Sequence, residues 1–542
     1  MTTDVATKGA HTYAGSATPA GAGTGGAGAG DAGAVRPLLR DRLSPPMPAG
    51  ALGWVVPLVI AAIAGVLRFV RLGDPHELVF DETYYAKDAW SLLHFGYERN
   101  WQDGADDSVL AGRTEVFGDG TSFVVHPPFG KWLVAVGEWA FGMDPFGWRF
   151  AVALLGTLSV LMLARITRRL TRSTLLGCTA GLLLAFDGLH FVMSRTALLD
   201  LILMFWVLAA FGCLLVDRDR TRARVGRAVD GDPRLATGLG PGFGLRPWRI
   251  AAGVCLGLAC ATKWNGLFFV VAFGLLTVLW DVGTRRALGV RRRFAAALAR
   301  DAGPAFASIV LVGVVAYLVS WSGWWISDAG WDRHWADGRD TLWFFIPDGL
   351  RSLWHYHAGI YDFHRGLDSY HPYRSSPWGW LVLARPVSYF YENLGRGEEG
   401  CEAARCAQEV LGIGTPALWW LALGALVYLV WRWAGRRDWR AGAVLAGIAA
   451  GYLPWFVFSE RTIFYFYSIV FTPFLVMGVT LLLGAILGPP GSDPRRRAWG
   501  ASAAGLIVLP VIANFIYLYP VLSAEPIPLS EWAQRMWLQS WI

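Results

Sequence analysis

Charge is what this sequence has least of. Only 16 % of its 542 residues are Asp, Glu, Lys or Arg, where a soluble domain carries about 25 %. That excludes a disordered chain and argues against an ordinary soluble enzyme. Cysteine is scarce as well. The six cysteines form no paired CxxC and no Cys/His cluster of zinc-ligand spacing. A short N-terminal apolar region with a cleavage site is also missing, so no cleavable signal peptide is expected. No DxD sugar-nucleotide motif stands in the loops assigned below to the outer face.

What fills the space is apolar. Hydrophobic residues make up 54 % of the chain and mean hydropathy is +0.38. They fall in blocks of about 17 to 25 residues, the length of a membrane-crossing helix. Candidate spans lie at 52–70, 147–165, 174–191, 197–216, 249–263, 265–282, 303–322, 414–432, 441–458, 463–487 and 499–519. The expected fold is an all-α polytopic membrane protein with about eleven transmembrane helices. Residues 1–50, rich in Gly and Ala, read as a disordered cytoplasmic tail, and 51–542 as one transmembrane domain. Four cysteines, Cys178, Cys213, Cys255 and Cys260, sit inside apolar blocks and read as small buried hydrophobes.

The net charge of +7 would suggest nucleic acid in a soluble protein. Here the arginines gather at the ends of apolar blocks, so orientation explains them and no nucleic-acid partner is expected. Segments 165–172, 217–249, 283–300, 432–440 and 495–497 carry them. With eleven spans all five fall on one side, which the positive-inside bias makes cytoplasmic. The N-terminus is then inside and the C-terminus outside. Two long loops, 71–146 and 323–413, face outward. The first holds 13 acidic against five basic residues. The tryptophans from Trp321 to Trp335 read as an interfacial belt.

Candidate chemistry sits on that outer face. Asp81-Glu82 follows the first span by about ten residues and precedes an amphipathic segment, 83–95. From pattern alone Asp81 is either a helix cap or a poised carboxylate at the water–lipid boundary. HPPFGKW at 126–132 opens an apolar stretch too short to span, expected as a second surface helix. There Lys131 either snorkels or meets an anion. Short outer turns hold Arg195, Lys263, Glu460 and Arg461, and Asp200 just inside the fourth span calls for a partner, with Arg195 a candidate. Cys401 and Cys406 lie close together on the oxidising side, a spacing that permits a small-loop disulfide.

The Asp81-Glu82 pair followed by His126-Pro-Pro-Phe-Gly-Lys131 resembles the protein O-mannosyltransferases, membrane glycosyltransferases of the GT-C fold class. The likeness continues through FGWRF at 146–150, FDGLHFVMSRTALLD at 186–200, TKWNG at 262–266, SYHPYRSSPWGW at 369–380 and SERTIFYFY at 459–467. The second outer loop is too short for the β-trefoil domain of eukaryotic members, a departure that resembles bacterial members, and the Ala/Gly/Arg-rich composition suggests an actinobacterial type.

The resemblance implies transfer of mannose from polyprenyl-phosphate-mannose to Ser or Thr of secreted proteins. It implies a multi-pass protein of the cell membrane with an extracytoplasmic active site. It assigns the general base to Asp81, with Glu82 orienting the acceptor or the loop. Polyprenyl phosphate is a good leaving group, so one base suffices and a single inverting displacement is expected. Cations must meet the departing phosphate: Arg149 and Lys263 first, then Arg461, with Arg195, His126 and Lys131 also in the donor-binding set. His371, Tyr373, Ser375, Ser376 and Trp380 are expected to shape the acceptor groove. No cofactor or metal is expected beyond the lipid-linked donor, and the secretion machinery is an expected partner. Alternatives are another lipid-linked-sugar transferase acting on a glycolipid, or a transporter. A transporter is disfavoured because the charges cluster at one face and the halves show no repeat.

Overall fold

The computed structural model describes residues 38–542 except 340 and 490. Most of the expected 1–50 tail therefore lies outside the described residues. Segment 38–50 is described. It carries a short helix, Leu39–Leu43, whose leading amides, Leu39 N and Arg40 N, reach the Asp230 carboxylate at 2.9 and 3.1 Å.

Among the described residues, eight helices are long and apolar enough to cross a membrane. They are Leu52–Phe69, Pro145–Thr171, Leu199–Gly231, Gly266–Ala287, Arg293–Ser320, Pro416–Ala434, Trp439–Val457 and Pro494–Leu522. Three shorter apolar helices, Thr174–Ala185, Pro247–Cys260 and Thr472–Leu487, occupy the remaining expected positions. Leu199–Gly231 is the axis of the bundle, with 67 % of its apolar window buried. Leu52–Phe69 lies at the rim, 33 % buried, and presents Leu52, Trp54, Val55 and Leu58 outward.

Local chemistry explains where helices stop. The expected block 174–191 breaks at Asp187, whose carboxylate accepts from the His190 amide at 3.0 Å and Trp419 Nε1 at 2.8 Å. It thereby starts a separate short helix, Gly188–Met193. Asp144 caps Pro145–Thr171 through Gly147 N at 2.7 Å, with Pro145 at the first helical position. A Cβ at Gly147 would stand 1.9 Å from Gly142 O, and one at Gly137 2.2 Å from Gly147 O. Glycine is what lets Phe129–Phe141 lie directly against the following span.

The first long loop holds the two surface helices, Glu82–Phe95 and Phe129–Phe141, joined through a small antiparallel pair, Arg99–Trp101 and Phe117–Thr121. The second holds the helix Asp348–Gly366 and the antiparallel strands Val387–Gly395 and Arg405–Gly412. Ile527–Pro528, from beyond the last long helix, adds a third strand. Both sheets lie outside the apolar helices. The chain end docks on the same loop, where Trp541 Nε1 donates to Leu383 O at 2.7 Å.

Candidate active site

The site forms where the start of Leu199–Gly231 meets both long loops. Phe80 sets its entrance. Its φ of 54° is left-handed, a costly conformation for a bulky residue. Its ring packs edge-on to Tyr389, Phe464, Phe466 and His371 at 5.2 to 5.8 Å. This aromatic socket fixes the direction in which the chain delivers the next residue, Asp81.

Asp81 is half-buried and directly precedes the helix Glu82–Phe95, yet its side chain makes no cap hydrogen bond. Nor does it enter an ion pair among the described residues. The helix-cap reading therefore fails on geometry. Burial pushes its carboxyl up to about 6, Lys263 pulls it down, Asp200 raises it, and a hydrogen bond from Tyr85 lowers it. A carboxylate with that affinity can accept a proton near neutral pH.

Glu82 does something else. It is fully buried and grips Arg149 in a two-pronged pair, both contacts at 2.9 Å. It also accepts from Val79 N at 3.0 Å and Ala197 N at 2.8 Å. Arg149 spends its remaining donors on the carbonyls of Leu72, Pro75 and Glu77. Every guanidinium N–H of Arg149, expected at the donor phosphate, is engaged by protein acceptors. The pair clamps loop 72–82, and both Glu82 carboxylate oxygens are taken up by protein donors.

The other expected cations divide. Arg195 donates to Arg68 O, Val70 O and Arg71 O at 2.9, 2.7 and 2.6 Å. It thus closes the C-terminal end of Leu52–Phe69. Lys131, 1 % exposed, is paired with Glu98 and with Asp88 at 3.4 Å rather than snorkelling to solvent. Lys263 is the partner of Asp200, at 2.9 and 3.1 Å, which replaces the expected Arg195 pairing. Its ammonium lies 4.6 Å from the centre of the Tyr467 ring. Burial alone would lower the Lys263 pKa, but Asp200, Tyr467 and Asp81 together raise it, so it stays charged.

Arg461 remains uncommitted. Its Nε is buried without a partner, and among the described residues the guanidinium enters no ion pair. Beside it lie His126 and His364, whose ring centres are 5.2 Å apart. Burial first, then Lys263 and His364, hold His126 well below its usual range. Burial and Arg461 bring His364 down to about 4. His364 donates through Nε2 to Val125 O at 2.9 Å and leaves Nδ1 unpartnered.

The expected acceptor-groove residues separate too. His371 packs on Phe464, ring centres 5.0 Å apart, and on Phe80, so it stands at the Asp81 entrance. Tyr373 neighbours it, half-buried, and Ser376 is exposed. Trp380 is 1 % exposed, and its Nε1 donates to Ser375 Oγ at 3.0 Å inside the core. Cys401 and Cys406 are joined as a disulfide at the turn between the two long strands. Sequence reasoning singled out neither Phe80, Tyr85, Tyr389 nor His364. Only His364 left a trace, in the His-rich helix Asp348–Gly366.

Comparison with known proteins places this geometry. The dolichyl-phosphate-mannose-protein mannosyltransferase family matches residues 58–300. The C-terminal four-transmembrane region of protein O-mannosyltransferase matches residues 349–541. The polyprenol-phosphate-mannose–protein mannosyltransferase of Mycolicibacterium smegmatis (strain MKD8) is 43 % identical over 503 residues, covering 91 % of this chain and 93 % of that one. The enzyme of the same name from Mycobacterium tuberculosis (strain CDC 1551 / Oshkosh) is 44 % identical over 499 residues, covering 90 % and 92 %. In fold the chain resembles the protein O-mannosyltransferase Pmt1-Pmt2 complex of S. cerevisiae, solved bound to the sugar donor. The TM-score is 0.69 at 15 % identity, covering 93 % of this chain and 94 % of that one. The chain therefore belongs to the polyprenyl-phosphate-mannose–protein mannosyltransferase family of membrane glycosyltransferases.

Proposed function

We propose that the enzyme moves mannose from polyprenyl-phosphate-mannose to Ser or Thr hydroxyls of secreted proteins, in one inverting displacement, with Asp81 as general base. The observation that carries this is the Asp81 carboxylate. It is uncapped, outside any ion pair, pushed up to about 6 mainly by burial, and set beside the Lys263–Asp200 pair. Asp81 takes the acceptor hydroxyl proton as the oxygen attacks the anomeric carbon and the C–O bond to phosphate breaks. The leaving oxygen departs with the bonding electron pair. Arg461, with free donors, and the Lys263 charge offset what develops on the phosphate. These two side chains supply the cationic part of the reading, which therefore invokes no cofactor.

The eight long and three shorter apolar helices make eleven crossings in this proposal. The arginine-rich ends then lie in the cytoplasm, with Asp81 on the extracytoplasmic side of the plasma membrane. The secretion machinery is the proposed supplier of acceptors, because a chain still unfolded exposes its hydroxyls.

The test uses membranes, polyprenyl-phosphate-mannose labelled in the sugar, and a Ser/Thr-rich peptide. Wild type should label peptide hydroxyls with inverted anomeric configuration, and Asp81→Asn at equal expression should not. Label arriving on a glycolipid instead of peptide would leave the fold standing and overturn the acceptor class. Retention of configuration would overturn the single displacement.

A further inference from the structure

The end of the bundle farthest from Asp81 has a site of its own. Asp200 and Arg218 sit on one helix, Leu199–Gly231, with a rise between them of about 27 Å. Around Arg218 a cavity of about 530 Å³ is lined by Arg42, Arg172, Arg218, Arg222 and Arg440 with a single acid, Asp438. Five positive charges against one is a large imbalance for a recess partly walled by Leu and Trp.

The nearby acids are already shared. Asp438 holds Arg432 at 2.6 Å and Arg440 at 2.9 Å. Asp219 holds Arg169, Arg172 and Arg218 at 3.1, 2.7 and 3.5 Å. Donors are left over. Arg218, 7 % exposed, has an Nε with no partner, and its guanidinium lies 3.4 Å from the centre of the Trp439 ring. Arg222 commits only its Nε, to Leu43 O at 2.9 Å. Arg42 enters no ion pair among the described residues.

The recess does not end in solvent alone. Leu279, Trp280 and Trp439 also line a second cavity of about 810 Å³ between Gly266–Ala287 and Trp439–Tyr452. That second wall is nearly all Ala, Leu and Trp, from Ala272 to Arg286 along one helix, a rise of about 21 Å. One membrane leaflet offers about half of a 30 Å hydrocarbon core. A cationic head pocket thus opens into an apolar groove long enough for a chain that reaches through one leaflet.

We propose that this pair of cavities binds an anionic phospholipid, its phosphate on Arg218, Arg222 and Arg42 and one acyl chain along the Leu279–Ala446 groove. Basic pockets between helix ends recognise anionic head groups by charge, and the apolar channel adds the hydrophobic part. The shared chemistry is a phosphate anion, which a soluble phosphate could also supply. The continuity of the two cavities favours the lipid.

The test is lipid titration of the full-length protein in a zwitterionic detergent, read by thermal stability and by lipid retained in native mass spectrometry. Phosphatidylglycerol should bind at least tenfold more tightly than phosphatidylcholine. Arg42→Gln combined with Arg222→Gln should cut that preference about tenfold. Ala446→Phe, which fills the groove and replaces no arginine, should weaken phosphatidylglycerol while leaving the response to inorganic phosphate unchanged. Mannosyl transfer by these variants serves as the control for folding. Equal binding of the two lipids, or wild-type phosphatidylglycerol binding in both variants, would overturn the site. Inorganic phosphate reproducing the whole shift, with Ala446→Phe indistinguishable from wild type, would overturn the lipid and leave a soluble anion.

Discussion

The sharpest consequence of the site is a pH profile. With its carboxyl at about 6, Asp81 is about nine-tenths ionised at pH 7 and about one-tenth at pH 5. If it is the base, kcat/KM should fall roughly tenfold over those two units and approach a slope of one below pH 5. A base at the ordinary 3.8 would leave the rate nearly flat to pH 5. His126 lies well below its usual range, His364 titrates near 4, and Lys263 is raised. The donor phosphodiester keeps its charge throughout. The same shift has a signature in stability. The folded carboxyl binds its proton more tightly than the unfolded one, so ionised Asp81 is a cost to folding. That cost is full above about pH 6, shrinks between 6 and 3.8, and is gone below. Two units correspond to at most about 3 kcal/mol. Asp81→Asn should therefore abolish transfer and, at pH 7.5, raise the thermal midpoint, with the gain disappearing towards pH 4. The assay is labelled-mannose transfer from pH 4.5 to 8, paired with thermal unfolding in detergent. A flat rate between pH 7 and 5, or an Asn variant that is both active and no more stable, would refute the reasoning.

Other predictions concern the supporting groups. Arg461→Gln removes a cation that no protein group uses, so it should lower kcat/KM for the donor about 10- to 100-fold, the worth of about 1.5–3 kcal/mol for a charged hydrogen bond, with the thermal midpoint unchanged. A matched loss of stability would show that Arg461 is structural. Arg149→Gln strands a buried carboxylate and should cost about 3–5 kcal/mol, and a Glu82→Gln/Arg149→Gln double variant should cost clearly less than the two single changes together. Strict additivity in a double-mutant cycle would break the clamp argument. Replacing both Cys401 and Cys406 by Ser should cost about 2 kcal/mol while transfer stays within twofold; loss of activity at full folding would give the hairpin a catalytic part.

Length and hydropathy carried the bundle because they are properties of contiguous sequence. Each expected apolar block, from 52–70 to 499–519, holds an apolar helix in the fold. The surface helices were legible for the same reason: Glu82–Phe95 and Phe129–Phe141 are amphipathic or bounded by Pro128 and Gly142. The two small sheets were not. Ile527–Pro528 pairs with Cys406 and Ala407 more than a hundred residues away, and nothing local announces that.

Charge was the least legible, for a definite reason. An arginine at an outer helix end reads the same whether it awaits a phosphate or holds five protein acceptors. Arg149 and Glu82 are 67 residues apart in sequence, and Lys263 and Asp200 are 63 apart. Partnering of that kind exists only after folding, and it decides which cations stay available. In the low-dielectric surroundings of a buried site, an unpaired charge is costly. The chain accordingly pairs Arg149, Lys131 and Lys263 with carboxylates and holds Arg195 by backbone carbonyls, while Lys263 keeps its charge beside Asp81. Asp81 and Arg461, from segments 380 residues apart, enter no ion pair among the described residues, and the Arg461 Nε is buried without a partner. Folding alone would favour pairing or removing them. In the proposed reaction Asp81 accepts the hydroxyl proton and Arg461 meets the released phosphate.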